Sequence, residues 1–147
     1  MPAPAHALPT LYTPTEEEVH SNILSQHMRQ FNYRFVAEYP LAQPVRLNAK
    51  DADGTLLGGI RGFVFMARLR VEVLWVAETA RGQGLGARLL AEAEQQARSL
   101  GAIGAALDTF EWQAPAFYLK QGYSESGRIE RYVDNYALIT MQKRFAV

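Results

Sequence analysis

Three glycines at positions 82, 84 and 86 give the clearest chemical signal in the sequence. They lie in Arg81-Gly82-Gln83-Gly84-Leu85-Gly86-Ala87, between an apolar strand-like segment and an amphipathic helical pattern. The first amides of a helix have no acceptor within the helix, and the helix dipole places partial positive charge beside them. Because glycine leaves these amides uncovered, the segment predicts a phosphate-binding turn, to which Arg81 adds a charged contact. A tight turn without a ligand is the weaker interpretation, since glycine destabilises helices.

The same glycines also fit a dinucleotide-binding fingerprint, Gly82-x-Gly84-x-x-Ala87, with Asp108 as the ribose-binding acid. That fingerprint begins directly at a strand end, whereas five residues, 77–81, intervene here. Roughly 40 residues follow Asp108, which is too few for the rest of a doubly wound sheet. The sequence therefore argues against this alternative.

Two motifs together identify a family resemblance. Arg81 to Gly86 fits the signature Q/R-x-x-G-x-G/A, and Ala114-x-x-Phe117-Tyr118-x-x-x-Gly122-Tyr123 fits a second one downstream. From about residue 45 to 145 the chain resembles the GNAT acetyltransferase superfamily. The resemblance implies an acetyl-CoA-dependent N-acetyltransferase that moves an acetyl group to a primary amine by direct attack in a ternary complex. The alternative is a non-catalytic acetyl-CoA-binding or regulatory module with this fold.

The resemblance also implies a binding mode for acetyl-CoA as co-substrate. In this family the strands before and after the glycine turn splay apart, and the pantetheine arm lies between them. The main chain of Leu74, Trp75 and Val76 would pair with the arm, with the Val76 amide directed at the thioester oxygen. The implied diphosphate site consists of the residues of the turn: Arg81, Gly82, Gln83, Gly84, Leu85, Gly86 and Ala87.

The implied catalytic residues are Tyr118 and Glu72. Tyr118 matches the family's general acid, which protonates the departing thiolate, although a packing role is the alternative. Glu72 lies four residues before Val76 and is the candidate base, but it could equally be a solvent-facing strand carboxylate. Asp108 and Glu111 are further candidates for binding a cationic amine. Position 111 often holds Asn in the family, and we expect Gln113 to supply the missing amide.

The hydrophobic pattern predicts the elements that position these residues. We expect a capped helix from Thr15 to about Asn32, an Asp51–Gly54 hairpin turn, and a strand Leu69–Val76 with Leu69, Val71, Val73 and Trp75 on one face. The other predictions are strands at 45–49, 55–66, 102–107, 123–131 and 137–145, with helices at 83–100 and 114–121. They predict an α/β (α+β) fold, a mixed, mostly antiparallel twisted sheet with helices on both faces.

Composition excludes several other functions. Lys plus Arg equals Asp plus Glu, so nothing favours nucleic acid or an anionic membrane as a partner. The chain has no cysteine, which excludes disulfides and suits a cytoplasmic location. No apolar run reaches the roughly 20 residues of a membrane span, and the N-terminus does not resemble a signal peptide. The histidines His6, His20 and His27 form no metal-ligand pattern, so we expect no metal.

We expect one domain, 1–147, in which residues 1–8 are flexible. The acceptor is a small-molecule or protein amine. Aromatic residues at the expected acceptor side suit an apolar body (Tyr33, Phe35, Phe63 and Phe65). Members of this family often dimerise through sheet edges or terminal strands, so the resemblance implies a homodimer with the predicted strand 137–145 as a candidate interface.

Overall fold

The computed structural model divides into two compact units, Met1–Glu38 and Tyr39–Val147. It describes residues 1–2 and 7–147. Residues 3–6 of the predicted flexible N-terminus, His6 among them, lie outside the described residues. The elements are α1 Glu16–His20, α2 Ile23–Asn32, β1 Gln43–Lys50, β2 Leu56–Phe65, β3 Arg68–Val76, a 3₁₀ turn Glu78–Ala80, α3 Leu85–Ser99, β4 Gly104–Phe110, α4 Pro115–Lys120, β5 Ser124–Val133 and β6 Tyr136–Arg144.

The N-terminal unit begins with the predicted helix cap but contains two helices where one is predicted. The Thr15 side chain accepts from the Glu18 N–H, and the Glu18 carboxylate accepts from the Thr15 N–H, which completes a capping box. The helix then stops at His20, because Asn22 adopts a left-handed conformation with φ 58°. Asn is one of the few residues that tolerate this conformation, so the apolar pattern alone does not show the break.

The second unit contains one six-stranded sheet in the order β1-β2-β3-β4-β6-β5. All neighbouring strands are antiparallel except β3 and β4, which are parallel. The crossover between them contains α3, which contacts β1, β2 and β3. The prediction of a mixed, mostly antiparallel sheet is confirmed.

The suggested interface strand is not at the edge of the sheet. β6 lies between β4 and β5 and pairs with both of them, and its Ala137, Ile139 and Met141 side chains are buried. The edge strands are β1 and β5, and all ten residues of β5 are exposed. Residues 137–145 are therefore not a sheet edge that could pair with a second copy, because an interior strand has no free main-chain groups to offer.

The predicted faces of β3 are also wrong beyond Val71. Arg61 of β2 is opposite Val73, and the next residue, Gly62, is opposite Val71, so Glu72 has no partner and forms a β-bulge. An extra residue reverses the inward and outward alternation after it. Leu69 and Val71 are buried before the bulge, whereas Val73 and Trp75 are exposed after it and Leu74 and Val76 pack against the core.

Helix α3 covers the core and ends as its sequence predicts. Gly101 has φ 94°, and the Ala102 N–H donates to the Ala97 carbonyl over 2.9 Å, which closes the helix C-terminus. The buried cluster between the sheet and the helices is apolar, with Leu69, Leu90, Leu107 and Met141 among its largest members.

One polar cluster interrupts this core. The Lys143 ammonium donates to the Glu94 carboxylate over 2.6 Å and lies 5.6 Å from the centre of the Tyr123 ring. The Tyr123 hydroxyl is buried and has no hydrogen-bond partner among the described residues. Burial raises the pKa of Tyr123, and the negative charge of Glu94 raises it further.

We predict that Tyr123→Phe stabilises the protein. A buried hydroxyl without a partner costs ~1 kcal/mol or more in desolvation, and Phe keeps the ring packing. The free energy of unfolding from urea denaturation should rise by about 1 kcal/mol. Tyr136→Phe is the matched control, since Tyr136 is 45% exposed and should change little. A clear loss of stability in Tyr123→Phe would show that an enclosed water satisfies the hydroxyl.

Candidate functional site

A cleft opens where β3 and β4 separate. The two strands pair only from Arg68 opposite Gly104 to Val71 opposite Leu107, and neither continues the pairing beyond that point. The cleft has a volume of about 790 Å³. Its walls come from the second half of β3, the glycine turn with the start of α3, helix α4, and the loop after β4. The glycine turn and the second sequence motif therefore face one cavity.

The main chain of β3 offers unpaired groups to this cleft. The Ala77 N–H donates to the Leu57 carbonyl of β2 over 2.7 Å. Peptide groups alternate in direction along a strand, so those of Leu74 and Val76 point away from β2 and toward the gap. The peptide groups of Trp75 point at β2. Trp75 therefore offers the cleft its half-exposed side chain rather than its main chain.

The glycine turn places a row of free amides at the start of α3. None of the six main-chain amides from Gly82 to Ala87 donates a hydrogen bond to another described residue. The first helical bond runs from Arg88 N–H to the Gly84 carbonyl over 3.0 Å. Gly82 and Gly84 have φ of 76° and 81°, which other residues rarely adopt. Six free donors with the positive end of a helix dipole are an arrangement that suits an anion.

Most of the residues predicted from the sequence meet at this cleft. The predicted residues that line the cleft are Tyr118, Glu72, Leu74, Trp75, Val76, Arg81, Gly82, Gly84, Leu85, Gly86 and Ala87. Gln83 does not line it. The Arg81 side chain is partly occupied, because its Nε–H donates to the Val76 carbonyl over 3.0 Å and so fixes the turn to the end of β3. Gly86 is a packing position, where an added Cβ would lie 3.5 Å from the Phe117 ring.

Tyr118 combines burial with access to the cleft. The side chain is 7% exposed and packs edge-on against the rings of Phe117 and Tyr123, at centroid distances of 5.1 and 5.6 Å. No described residue forms a hydrogen bond with its hydroxyl group. Burial raises the pKa of Tyr118 above its ordinary value of 10.0, so the phenol stays protonated at neutral pH. This geometry provides a neutral O–H donor inside the cleft.

The three candidate carboxylates differ in their surroundings. Glu72 is exposed on the bulge, lines the cleft, and has no hydrogen-bond or ion-pair partner among the described residues. Asp108 also lines the cleft but accepts from the Thr140 hydroxyl over 2.6 Å. Glu111 is outside the cleft and accepts from the Ala137 N–H over 2.6 Å, which ties the loop to β6. Glu72 is therefore the carboxylate most available for proton transfer.

The loop after β4 contains a residue that the sequence interpretation missed. Trp112 lines the cleft and stacks on Phe110 with a centroid distance of 4.5 Å. The sequence gives little indication of this role, because a single Trp in a loop is usually interpreted as a packing residue. Gln113 uses its side-chain carbonyl oxygen to accept the Phe110 N–H over 2.8 Å. Gln113 lines the cleft, and no described residue accepts a hydrogen bond from its amide nitrogen.

Two further observations concern the described part of the chain. It contains no group of three or more His, Cys, Asp or Glu side chains placed to hold a metal ion. None of the helices within residues 7–147 has both the length and the apolar composition needed to cross a membrane.

Comparison with known proteins agrees with this geometry. The family model described as the acetyltransferase (GNAT) family matches residues 6–123. A blasticidin-S acetyltransferase from Streptomyces morookaense is 43% identical over 95 residues, which cover 62% of this chain and 70% of that protein. An acetyltransferase from Agrobacterium fabrum is 32% identical over 101 residues, which cover 69% of this chain and 74% of that protein.

Solved structures show the same fold. The crystal structure of an acetyltransferase from Bacillus cereus has a TM-score of 0.81 and 29% identity, covering 93% of this chain and 98% of that chain. The family match spans most of the sequence, so the predicted family and fold are confirmed. The chain belongs to the acetyltransferase (GNAT) family and is an acetyl-CoA-dependent N-acetyltransferase.

Proposed function

We propose that the chain acetylates a primary amine of a small molecule by direct attack on acetyl-CoA in a ternary complex. One observation supports this most strongly: the free amides from Gly82 to Ala87 and the open edge of β3 face the same cleft. A coenzyme A thioester carries a diphosphate, which needs such donors, and an arm with amide groups, which can pair with a strand edge.

The proposed contacts with acetyl-CoA follow from the directions of the main-chain groups in β3 and in the glycine turn. The amides of Gly82, Gln83, Gly84, Leu85, Gly86 and Ala87 bind the diphosphate. The main-chain groups of Leu74 pair with the arm, the Val76 N–H is directed at the thioester oxygen, and Trp75 contacts the arm through the indole. Arg81 has nitrogens left beyond the one bound to Val76, and these add charge-assisted contacts to the phosphates.

The proposed chemistry uses three groups of the cleft. Glu72, directly or through a water, accepts the proton of the ammonium so that the neutral nitrogen attacks the thioester carbon. The Val76 N–H donates to the oxygen that becomes negative, which lowers the barrier by ~3 kcal/mol. The C–S bond then breaks, and Tyr118 donates its proton to the leaving sulfur. The attacking nitrogen loses its second proton as the amide forms, and that proton returns through solvent to the Tyr118 oxygen. The products are the N-acetylated acceptor and the thiol of coenzyme A.

The other parts of the proposal are coarser. Because the Streptomyces morookaense relative is named for blasticidin S, we propose a small-molecule amine of the antibiotic class as acceptor in preference to a protein amine. We propose that residues 1–147 act as one domain, which the family match across both compact units supports.

We also propose a cytoplasmic homodimer. Exposed Ile129 and Tyr132 on the free β5 edge support dimerisation, and sizing chromatography measures it.

We predict that acetyl-CoA binds in a calorimetric titration and that Gly84→Asp weakens binding about 100-fold. A carboxylate at this position repels the diphosphate and competes for the same amides. Asp tolerates positive φ better than most residues, so the fold should be kept. Gly127→Asp is the control, because Gly127 has open space around it and lies on β5.

Turnover is measured by coenzyme A thiol release, with blasticidin S as the first acceptor and a panel of amines after it. No binding of acetyl-CoA by the wild-type protein would overturn the cofactor assignment. Binding without thiol release for any amine would instead indicate a non-catalytic binding module.

We predict that Tyr118→Phe lowers kcat about 10- to 100-fold and leaves the KM for acetyl-CoA nearly unchanged. The effect is moderate because a thiolate is a weak base. Since burial raises the pKa of Tyr118, the wild-type kcat should show no loss from Tyr118 ionisation below pH 10. Tyr123→Phe is the control, because it removes the hydroxyl group from the neighbouring ring and should keep the wild-type kcat. Equal kcat values for the two variants would rule out the acid role.

We predict that Glu72→Gln lowers kcat/KM for the amine about 100-fold at pH 7. The difference in kcat/KM between wild type and variant should decrease as pH approaches the pKa of the amine, because the neutral amine is then already present in solution. Glu78→Gln is the control, since Glu78 is an exposed carboxylate outside the cleft. If the ratio of wild-type to variant kcat/KM stayed constant at every pH, Glu72 would be assigned to binding. If the two values of kcat/KM were equal, Glu72 would have no role.

A further inference from the structure

A second pocket adjoins the cleft on β1, β2 and β3. Its volume is about 510 Å³. The residues around it are Ala42, Pro44, Arg46, Arg61, Gly62, Phe63, Glu72 and Val73. Glu72 and Val73 line both cavities, so the bulge of β3 is their shared wall. A molecule in the second pocket can therefore extend past Glu72 to the cleft.

Two arginines in this pocket face each other without a counterion. Arg46 of β1 is directly opposite Arg61 of β2 in the strand register. Like charges at opposite cross-strand positions destabilise a sheet. Neither arginine forms an ion pair with any carboxylate in the described part of the chain. Glu72 is the carboxylate on the pocket wall, so two guanidinium groups face one carboxylate and the pocket keeps a net positive charge.

The two arginines also differ in freedom. Arg61 is held by its Nη2–H, which donates to the Asn48 side-chain oxygen over 2.8 Å, and by its Nη1, which donates to the Leu47 carbonyl over 3.1 Å. Arg46 has no hydrogen-bond partner among the described residues. One guanidinium is therefore positioned by the strand pair, and the other keeps its full set of donors for a ligand.

We propose that this pocket is an acceptor subsite for an oxyanion, so that the substrate is an amine that also carries a carboxylate or a phosphate. This inference rests on the proposed function. The Arg46 fork binds the oxyanion with the Arg61 charge beside it, while Phe63 contacts the apolar body and the amine reaches Glu72. A polyamine is disfavoured, because it would place a cation beside two arginines.

Matched pairs of amines test the subsite on the full-length protein. The pairs are lysine with cadaverine, phenylalanine with phenethylamine, and phosphoethanolamine with ethanolamine. Calorimetric titration into the coenzyme A-loaded protein gives the Kd of each, and thiol release gives kcat/KM. We expect the acid-bearing member of at least one pair to bind at least tenfold more tightly. A preference in the carboxylate pairs or in the phosphate pair identifies which oxyanion is used.

Arg46→Gln should reduce that preference to less than about threefold and leave the KM for acetyl-CoA unchanged. Arg68→Gln is the matched control, since Arg68 is exposed on β3 and lines neither cavity. Equal Kd values within every pair, or a preference that survives Arg46→Gln, would overturn the subsite. Failure of the proposed function looks different, because acetyl-CoA binding or thiol release would then be absent in the wild-type protein itself.

Discussion

The site depends on the point at which β3 and β4 stop pairing, Val71 opposite Leu107. Up to that point the parallel pair is an ordinary part of the sheet. Beyond it, the main-chain groups of Leu74 and Val76 that face β4 have no strand to bind, although β2 still holds the other edge. Backbone polar groups inside a fold need a partner, which is either water or a ligand. A parallel pair that separates is therefore a built-in place for a ligand that carries amides.

The bulge at Glu72 connects the two cavities. Without the extra residue, Val73 and Trp75 would continue the buried face of Leu69 and Val71, as the sequence pattern predicts. With it, a carboxylate is left at the shared wall, and Leu74 and Val76 turn their side chains to the core. Gly62 accommodates the bulge. A Cβ there would lie 2.5 Å from the Arg70 carbonyl oxygen, so a larger residue would force the strands apart.

The sequence predicted those parts of the site that local rules control. The turn at Gly84, the helix stop at Gly101 and the Pro115 start of α4 each depend on the conformational limits of one residue type, and all three are confirmed. Together with two family motifs, they were enough to predict the family and most cleft residues. The N-terminal helix break was missed because Asn22 only tolerates a left-handed conformation and does not require it.

What the sequence did not predict depends on strand register. In β1 and β2, Lys50 is opposite Leu56, and continuing that register would pair Arg46 with Ile60. An irregularity between Ala49 and Lys50 shifts the pairing by one residue and brings Arg46 opposite Arg61. The bulge of β3 and the interior position of β6 are likewise properties of paired strands. No single strand contains the information that specifies its partner's offset.

The two proposed anion sites use different physical means. The free amides at the start of α3 are main-chain dipoles, whose effect is confined to about one helical turn, so the cleft needs no excess of basic residues. This agrees with a chain whose formal net charge is zero. In the second pocket the positive charge belongs to two side chains. Side-chain substitution leaves the amides in place but removes a guanidinium completely. Donor recognition is therefore a property of the fold, whereas acceptor recognition can change with one or two residues.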